Sequence, residues 1–324
     1  MMPTHKKYAV DIEDIQVAAE RLKGRAHRTP LLSCQAISDA AHRDVLIKAE
    51  CFQKAGAFKF RGATNAVMQL DEATAQRGVV THSSGNHAQA LALAAQGRGI
   101  PAYVVMPANA KEIKKKAVES YGGVITLCEP TLQAREDTAA QVLKETGGTF
   151  IHPYNDARVI AGQGTCGLEI IEQSEPKPID VVVVPVGGGG LLSGIALALA
   201  ARSPSTKLVA AEPLGADDAA RSMQAGELIE QTSPNTIADG LLTSLGSLTW
   251  PIIQDHVERV VTVKDDAIIA AMRFVWERAK IIIEPSSAVS IAAILDPVFQ
   301  AQVEGQRVIA VVTGGNVDLG KLPF

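Results

Sequence analysis

The chain has 324 residues, 47% of them hydrophobic, and its 31 Lys and Arg against 35 Asp and Glu leave a net charge of −4. That length and apolar content exclude a disordered chain and allow two lobes with real cores. The charge balance gives no field for nucleic acid, two Trp and four Tyr are too few for a base-stacking surface, and no apolar stretch reaches the roughly 18–20 residues of a membrane span.

From the N-terminus, Met1 to Tyr8 carries lysines with no apolar run behind them, which is not a secretory leader. A helix is expected over Asp11–Leu22, then strands over Val45–Lys48 and Val79–His82 and a helix over Ala88–Gln96. The strand Ala102–Met106, the helix Lys111–Tyr121, the strand Val124–Cys128, the helix Leu132–Glu145 and the strand Thr149–His152 follow. Next come the helix Leu168–Gln173, the strand Asp180–Val186, the helix Leu191–Ala201 and the strands Lys207–Ala211 and Val257–Val263. The helices Asp265–Lys280 and Pro285–Leu295 and the strand Arg307–Val312 complete the series. This alternation is that of an open, mostly parallel α/β architecture, and nine strands are more than one sheet of about five or six holds, so two α/β lobes are expected. Lys111 to Lys116 reads as a solvated helix face. Cys34, Cys51, Cys128 and Cys166 are too scattered for a zinc site and read as reduced core thiols, so a cytoplasmic protein is expected.

Ligands of such sheets collect beyond the carboxyl ends of the strands. Three loops there are rich in small and polar residues: Ser83-Ser84-Gly85-Asn86-His87, Gly187 to Gly190, and Thr313-Gly314-Gly315-Asn316. Four consecutive glycines between a buried strand and a helix let backbone N–H groups close on an anion, with the helix dipole behind them; a flexible turn without a ligand is the alternative. Upstream, Lys59 stands between Phe58 and Phe60. A lysine in apolar surroundings is disfavoured as an ammonium and becomes nucleophilic near neutral pH, although such a lysine can also snorkel to solvent. Lysine and phosphate cradle together point to pyridoxal phosphate.

Phe58-Lys59-Phe60-Arg61-Gly62-Ala63, Ser83 to His87, Val186 to Leu191 and Thr313 to Asn316 resemble, in order, the motifs of the fold-type II pyridoxal phosphate enzymes. Within them the chain looks like the serine/threonine dehydratase, serine racemase and 3-hydroxyaspartate ammonia-lyase branch. The resemblance runs from about His27-Arg28-Thr29-Pro30-Leu31 to the C-terminus. It lacks the Ser-Val-Lys-Asp-Arg context and Gly-Thr-Gly-Gly-Thr loop that cysteine-synthase-like members use for β-replacement. The chain stops eight residues after Asn316, so a C-terminal regulatory domain is not expected. The resemblance implies a fold like that of the tryptophan synthase β-subunit: a large cofactor domain of residues 1–75 and 156–324, with a small domain of residues 76–155 inserted in it, in a homodimer.

The resemblance also assigns roles. Lys59 would carry the cofactor and take the substrate's α-proton. Gly187, Gly188, Gly189, Gly190 and Leu191 would hold the phosphate, Asn86 the phenolic oxygen, Phe58 the ring face and Thr313 the pyridine nitrogen; a neutral hydroxyl there suits elimination over transamination. Ser83, Ser84, Gly85, Asn86 and His87 would clamp the substrate carboxylate, with Ser84 opposite Lys59 as the second acid-base group where relatives racemise. His82 and Arg135 match positions at the distal end of the substrate, where Arg135 could pair with a second carboxylate or with Glu136 or Asp137 on its own helix. By spacing alone Glu212 to Asp218 reads as a helix start, and the resemblance shifts it: Glu212, Ala216 and Asp218 match a site for Mg²⁺, Ca²⁺ or Mn²⁺. ATP, bound by some relatives, would meet Lys54, Gln89, Tyr121 and Asn316. The implied reaction is loss of ammonia from a β-hydroxy amino acid, 3-hydroxyaspartate or L-serine, to oxaloacetate or pyruvate. Racemisation of serine, dehydration of L-threonine and a non-catalytic binding protein are the alternatives.

Overall fold

Val181–Pro185 is a strand with every residue buried, and its alternation sorts the core: Val181 and Val183 face one apolar layer, Val182 and Val184 the other. The computed structural model describes residues 6–110 and 112–324. Around this strand, β7, lies a six-stranded sheet in the order β1-β2-β10-β7-β8-β9. Its members are β1 (Leu31–Ser33), β2 (Asp44–Ala49), β8 (Lys207–Pro213), β9 (Arg259–Val263) and β10 (Arg307–Val312). All pair in parallel except β1, which runs antiparallel to β2 at the edge. Helices Asp265–Ala279 and Pro285–Leu295 cover one face, and Ala157–Ser174 and Gly190–Arg202 the other.

A second sheet is wholly parallel, in the order β5-β4-β3-β6: β3 (Val79–His82), β4 (Ala102–Pro107), β5 (Val124–Cys128) and β6 (Thr149–Phe150). Helices Asn86–Arg98 and Lys59–Met68 share one apolar cluster with it, and Leu132–Thr146 packs on the other face. The two parallel-rich sheets are the α/β architecture that the alternation of runs implies.

Glycine explains the largest departures from the sequence pattern. The helix Lys59–Met68 is absent from the expected elements, and Ala157–Ser174 far exceeds the expected 168–173. These two helices touch at their glycines: a Cβ on Gly162 would lie 2.7 Å from Gly62 Cα, and one on Gly194 would lie 2.4 Å from Gly164 N of the neighbouring helix. Residues of poor intrinsic helix propensity are there for close helix packing, and tertiary contact overrides propensity. β6 ends at Phe150, so residues 151–156 leave the sheet as a loop, and β9 begins at Arg259, two residues after the expected start. Glu112–Ser120 is helical; Lys111 of that expected helix lies outside the described residues, as do Met1 to His5 of the leader reading. Lys114 departs from a purely solvated face, because its Nζ lies 2.7 Å from Asp239 of the other sheet's segment. The four cysteines are unpaired.

Candidate active site

Lys59 opens its helix at a point held on both sides. The Phe58 N–H donates to Thr313 O at 3.0 Å, and Ala57 bridges Gly314, which stitches the lysine segment to the loop leaving β10. The Lys59 ammonium donates to Pro153 O at 2.8 Å and lies 5.1 Å from the Phe58 ring centre. Part of the side chain opens on the cleft, yet protein encloses it densely, and that burial lowers its pKa from 10.5 to about 8 against the opposing pull of Glu284.

The glycine loop joins β7 to the helix Gly190–Arg202 and is buried throughout. Gly189 takes the left-handed conformation (φ 86°) as the N-cap of that helix and supplies no capping side chain, so the first-turn N–H groups face the loop without one. Gly188 is required by contact: a Cβ there would meet the Tyr154 ring at 2.2 Å. Leu191 begins the apolar helix and is buried.

A polar chain runs beside Lys59. Asn316 Nδ2 donates to Asn86 Oδ1 at 2.9 Å and to Ala55 O at 2.8 Å, and Asn86 Nδ2 donates to Glu284 Oε1 at 2.8 Å. Burial pushes the Glu284 carboxyl up to about 8, with the Asp239 charge adding to the effect. Thr313 Oγ1 lies 2.9 Å from Ser287 Oγ, a neutral hydroxyl pair with no carboxylate in it. Glu284 and Ser287 escaped the sequence reading because neither belongs to a glycine-rich motif; the one available signal is a charged residue immediately before Pro285 at a helix start.

The serine loop opens the helix Asn86–Arg98, whose N-cap, Gly85, again supplies no capping side chain. Ser83 Oγ accepts from the Gly85 N–H at 3.3 Å, and Ser84 is half-buried. His87 turns away from this clamp: it is buried, its Nε2 is 3.1 Å from Ile151 O, and burial takes its pKa down to about 3, so the ring is neutral. Beyond the loop, His82 lies 5.4 Å from the Phe150 ring and 6.3 Å from His152, which is 4.5 Å from the Tyr154 ring. His152 and Tyr154 were also missed; they sit where β6 stops short and the chain enters the cleft. Arg135 faces the same wall: burial and then its charge lower the His82 pKa. Its Nε donates to Thr131 O at 3.3 Å, and among the described residues no carboxylate is paired with it, Glu136 and Asp137 included.

Glu212 and Asp218 are buried. The two Glu212 oxygens accept from Ala219 and Ala220 N–H at 2.9 and 3.0 Å, and Asp218 Oδ2 accepts from Leu245 N–H at 2.9 Å, whereas Asp218 Oδ1 is buried without a partner. Burial pushes the carboxyls up, Glu212 to about 8 and Asp218 to about 6. Among the described residues no three His, Cys, Asp or Glu side chains form a metal cluster, so a cation here would need the Ala216 carbonyl and water to complete its shell. Of the four residues matched to ATP, Gln89 and Asn316 line one cavity of about 480 Å³ with Lys114 and Asp239. Lys54 instead lies 5.8 Å from the Phe60 ring centre, and Tyr121 packs on the small-sheet cluster.

Pyridoxal phosphate fits these residues: an amine brought near neutrality, an uncapped glycine cradle, a neutral hydroxyl pair and an amide converge around the ends of β7 and β10. Comparison with known proteins agrees. The pyridoxal-phosphate dependent enzyme family matches residues 22–314. The chain is 50% identical to a serine racemase of Arabidopsis thaliana over 99% of its own length and 98% of the relative's. It is 51% identical to a beta-hydroxyaspartate dehydratase of Paracoccus denitrificans, over 98% and 99%. The solved structure of maize serine racemase superposes with a TM-score of 0.95 at 48% identity, covering 97% of this chain and 95% of that one. The chain is therefore a member of the pyridoxal-phosphate dependent enzyme family, in its serine/threonine dehydratase branch.

Proposed function

We propose that this enzyme is an ammonia-lyase acting on a β-hydroxy amino acid, with 3-hydroxyaspartate and L-serine as substrates. The observation that carries the reading is Lys59, a lysine whose amine burial has brought to about 8 at the cradle end of a cleft. At pH 7 about a tenth of such amines are neutral, against roughly one in three thousand for an ordinary lysine. When bound, pyridoxal phosphate supplies an electron sink that acidifies the substrate's Cα–H. Lys59 Nζ would take that proton, which with the expelled β-hydroxide makes up one water. The free enamine then takes water back and hydrolyses to a 2-oxo acid and ammonia.

The remaining roles follow the same division. Gly187 to Gly190 and Leu191 hold the phosphate, Phe58 the ring face, Asn86 the phenolic oxygen and Thr313, with Ser287 behind it, the ring nitrogen. Ser83, Ser84 and Gly85 clamp the α-carboxylate, and the buried His87 supports that loop from behind. Arg135, unpaired beside His82, whose pKa burial and the Arg135 charge lower, supports a dicarboxylic substrate, because a guanidinium pairs in two-pronged fashion with a carboxylate that serine lacks. Residues 1–75 and 156–324 act as the large domain and 76–155 as the small one, a division supported by their separate sheets. The unpartnered Asp218 Oδ1 supports a structural or activating Mg²⁺, Ca²⁺ or Mn²⁺ held with Glu212 and the Ala216 carbonyl. The cavity at Gln89 and Asn316 supports ATP as an effector. Unpaired cysteines support a cytoplasmic setting, and the resemblance a homodimer.

Serine racemisation is the second reading, favoured by Ser84, whose half-buried hydroxyl stands in the clamp loop where a second acid-base group is required. A panel of L-serine, D-serine, L-threonine and the four 3-hydroxyaspartate isomers decides between them. Ammonia and 2-oxo acid from hydroxyaspartate are expected; D-serine from L-serine without ammonia would overturn the ammonia-lyase reading in favour of the racemase, and turnover of threonine alone would overturn both.

A further inference from the structure

Two residues after Lys59, Arg61 is 1% exposed and saturated with partners. It grips Glu50 in two-pronged fashion, Nε to Oε2 at 2.8 Å and Nη2 to Oε1 at 2.7 Å, and Glu169 likewise, Nη1 to Oε1 at 2.7 Å and Nη2 to Oε2 at 2.8 Å. Lys48, buried on β2, adds a 2.6 Å contact to Glu169 and donates to Gln173 and Thr29 O. Two cations and two anions thus lie together, Lys48, Glu50 and Arg61 fully buried and Glu169 at 15% exposure, with nearly every donor met.

Such a network gives little stability over an apolar replacement of the same shape, because its desolvation cost offsets its attraction; what it fixes is geometry. Here it fixes the lysine helix. The apolar residues of that helix, Phe60, Ala63, Ala66 and Val67, belong to the cluster of the four-stranded sheet, whereas Arg61 ties it to Glu50, in the turn directly after β2, and to Glu169 of the helix Ala157–Ser174, which packs on the six-stranded sheet. Arg61 adds a charged, two-pronged anchor to the ties already made there by the Phe58–Thr313 hydrogen bond and the Gly62–Gly162 contact.

We infer that Arg61 is a positioning residue for Lys59, holding the lysine helix to the six-stranded sheet so that the reactive amine stays in register with the cofactor cradle. The inference rests on Lys59 being the cofactor-bearing lysine. Arg61 acts through geometry: the groups that set the Lys59 amine are its burial and Glu284, and the Arg61 charge is not among them.

Arg61→Lys keeps the charge but cannot reproduce two forks, and Glu169→Gln keeps the shape and removes one charge. For both, the expected result is a folded protein that retains its cofactor, with KM within about twofold and kcat lowered about 10- to 100-fold, the size of effect that about 1 Å of misplacement produces. In the cofactor-free protein, the pH dependence of Lys59 modification by an amine reagent, read by mass spectrometry, should move up from about 8 as the displaced amine meets water. A folded variant with wild-type kcat and an unchanged Lys59 profile overturns the inference. So does loss of the native fold in both variants, which would make the network a fold determinant only. Attachment of the cofactor to another lysine in the borohydride-reduced wild type would instead overturn the role of Lys59 itself.

Discussion

Replacing Lys59 by methionine tests the central claim through stability rather than turnover. In the cofactor-free protein the lysine amine is held at about 8, whereas in the unfolded chain it returns to 10.5. The folded state therefore binds fewer protons than the unfolded one between these values, and stability rises with pH across that window. Below about 8 the full penalty is present; above 10.5 it is gone. At pH 7 the two values correspond to about 3 kcal/mol of destabilisation. The cleft admits water to part of the side chain, and the lysine donates one hydrogen bond, to Pro153 O, worth about 1 kcal/mol, so the net gain on removing the amine is about 1–2 kcal/mol. Lys59→Met preserves the length of the stem. Urea unfolding of both cofactor-free proteins from pH 6.5 to 10.5 should show the variant more stable at neutral pH by that amount, with the advantage vanishing toward pH 10.5. Glu284 titrates in the same range but is common to both proteins and cancels in the difference to first order. A variant less stable than wild type at pH 7, or a difference independent of pH, would mean that the amine is not disfavoured as an ammonium, and the case for Lys59 as nucleophile would fail with it.

Gly188→Ala should weaken cofactor binding at least about tenfold in an absorbance titration, because the new methyl meets the Tyr154 ring at 2.2 Å; Tyr154→Ala in the same chain should restore most of the loss, and no restoration would show that the contact is not the cause. Arg135→Ala should raise KM for 3-hydroxyaspartate by about 10-fold or more while leaving L-serine within about twofold, and should raise the His82 pKa in an NMR titration; equal effects on both substrates would remove Arg135 from the distal carboxylate. EDTA should lower the melting temperature of the wild type, and Asp218→Asn should abolish the difference between EDTA and Mg²⁺; a variant that still responds to Mg²⁺ places the cation elsewhere.

What the sequence revealed and what it hid divide along physical lines. β7 was legible because a run of valines has no other stable home than a strand buried on both faces, and the glycines after it stand out because nothing but a close approach requires them together. Loops after β3, β7 and β10 could be grouped because ligands gather at the carboxyl ends of parallel strands. The lysine helix and most of Ala157–Ser174 were hidden, since Gly62, Gly162 and Gly164 weaken the helical signal and serve packing that only the folded chain discloses. Glu284, Ser287, His152 and Tyr154 were hidden for a different reason. Each reaches the site from a segment whose local pattern is ordinary, and only the crossing of elements far apart in sequence brings Glu284 to Asn86, Ser287 to Thr313, Tyr154 to Gly188 and His152 to His82.

Lys59 and Arg61 show how one helical turn shifts two cationic side chains in opposite directions. Burial opposes charge on both. Arg61 stays charged because Glu50 and Glu169 stand within 2.8 Å and supply four charge-assisted hydrogen bonds, and the same contacts, the Arg61 charge above all, keep Glu50 below the ordinary carboxylate range despite its burial. Lys59 is given only a peptide carbonyl and a distant, itself reluctant, carboxyl at Glu284, so its amine loses its proton more readily. An arginine cannot be neutralised by burial, whereas a lysine can, and this sequence places each where that difference matters. Exchanging the two residue types would fail at both positions: an arginine at 59 could not become a nucleophile, and a lysine at 61 could not grip two carboxylates at once. The amine has one hydrogen bond of its own, to Pro153 O, so the helix that Arg61 anchors is the second means by which its place is kept.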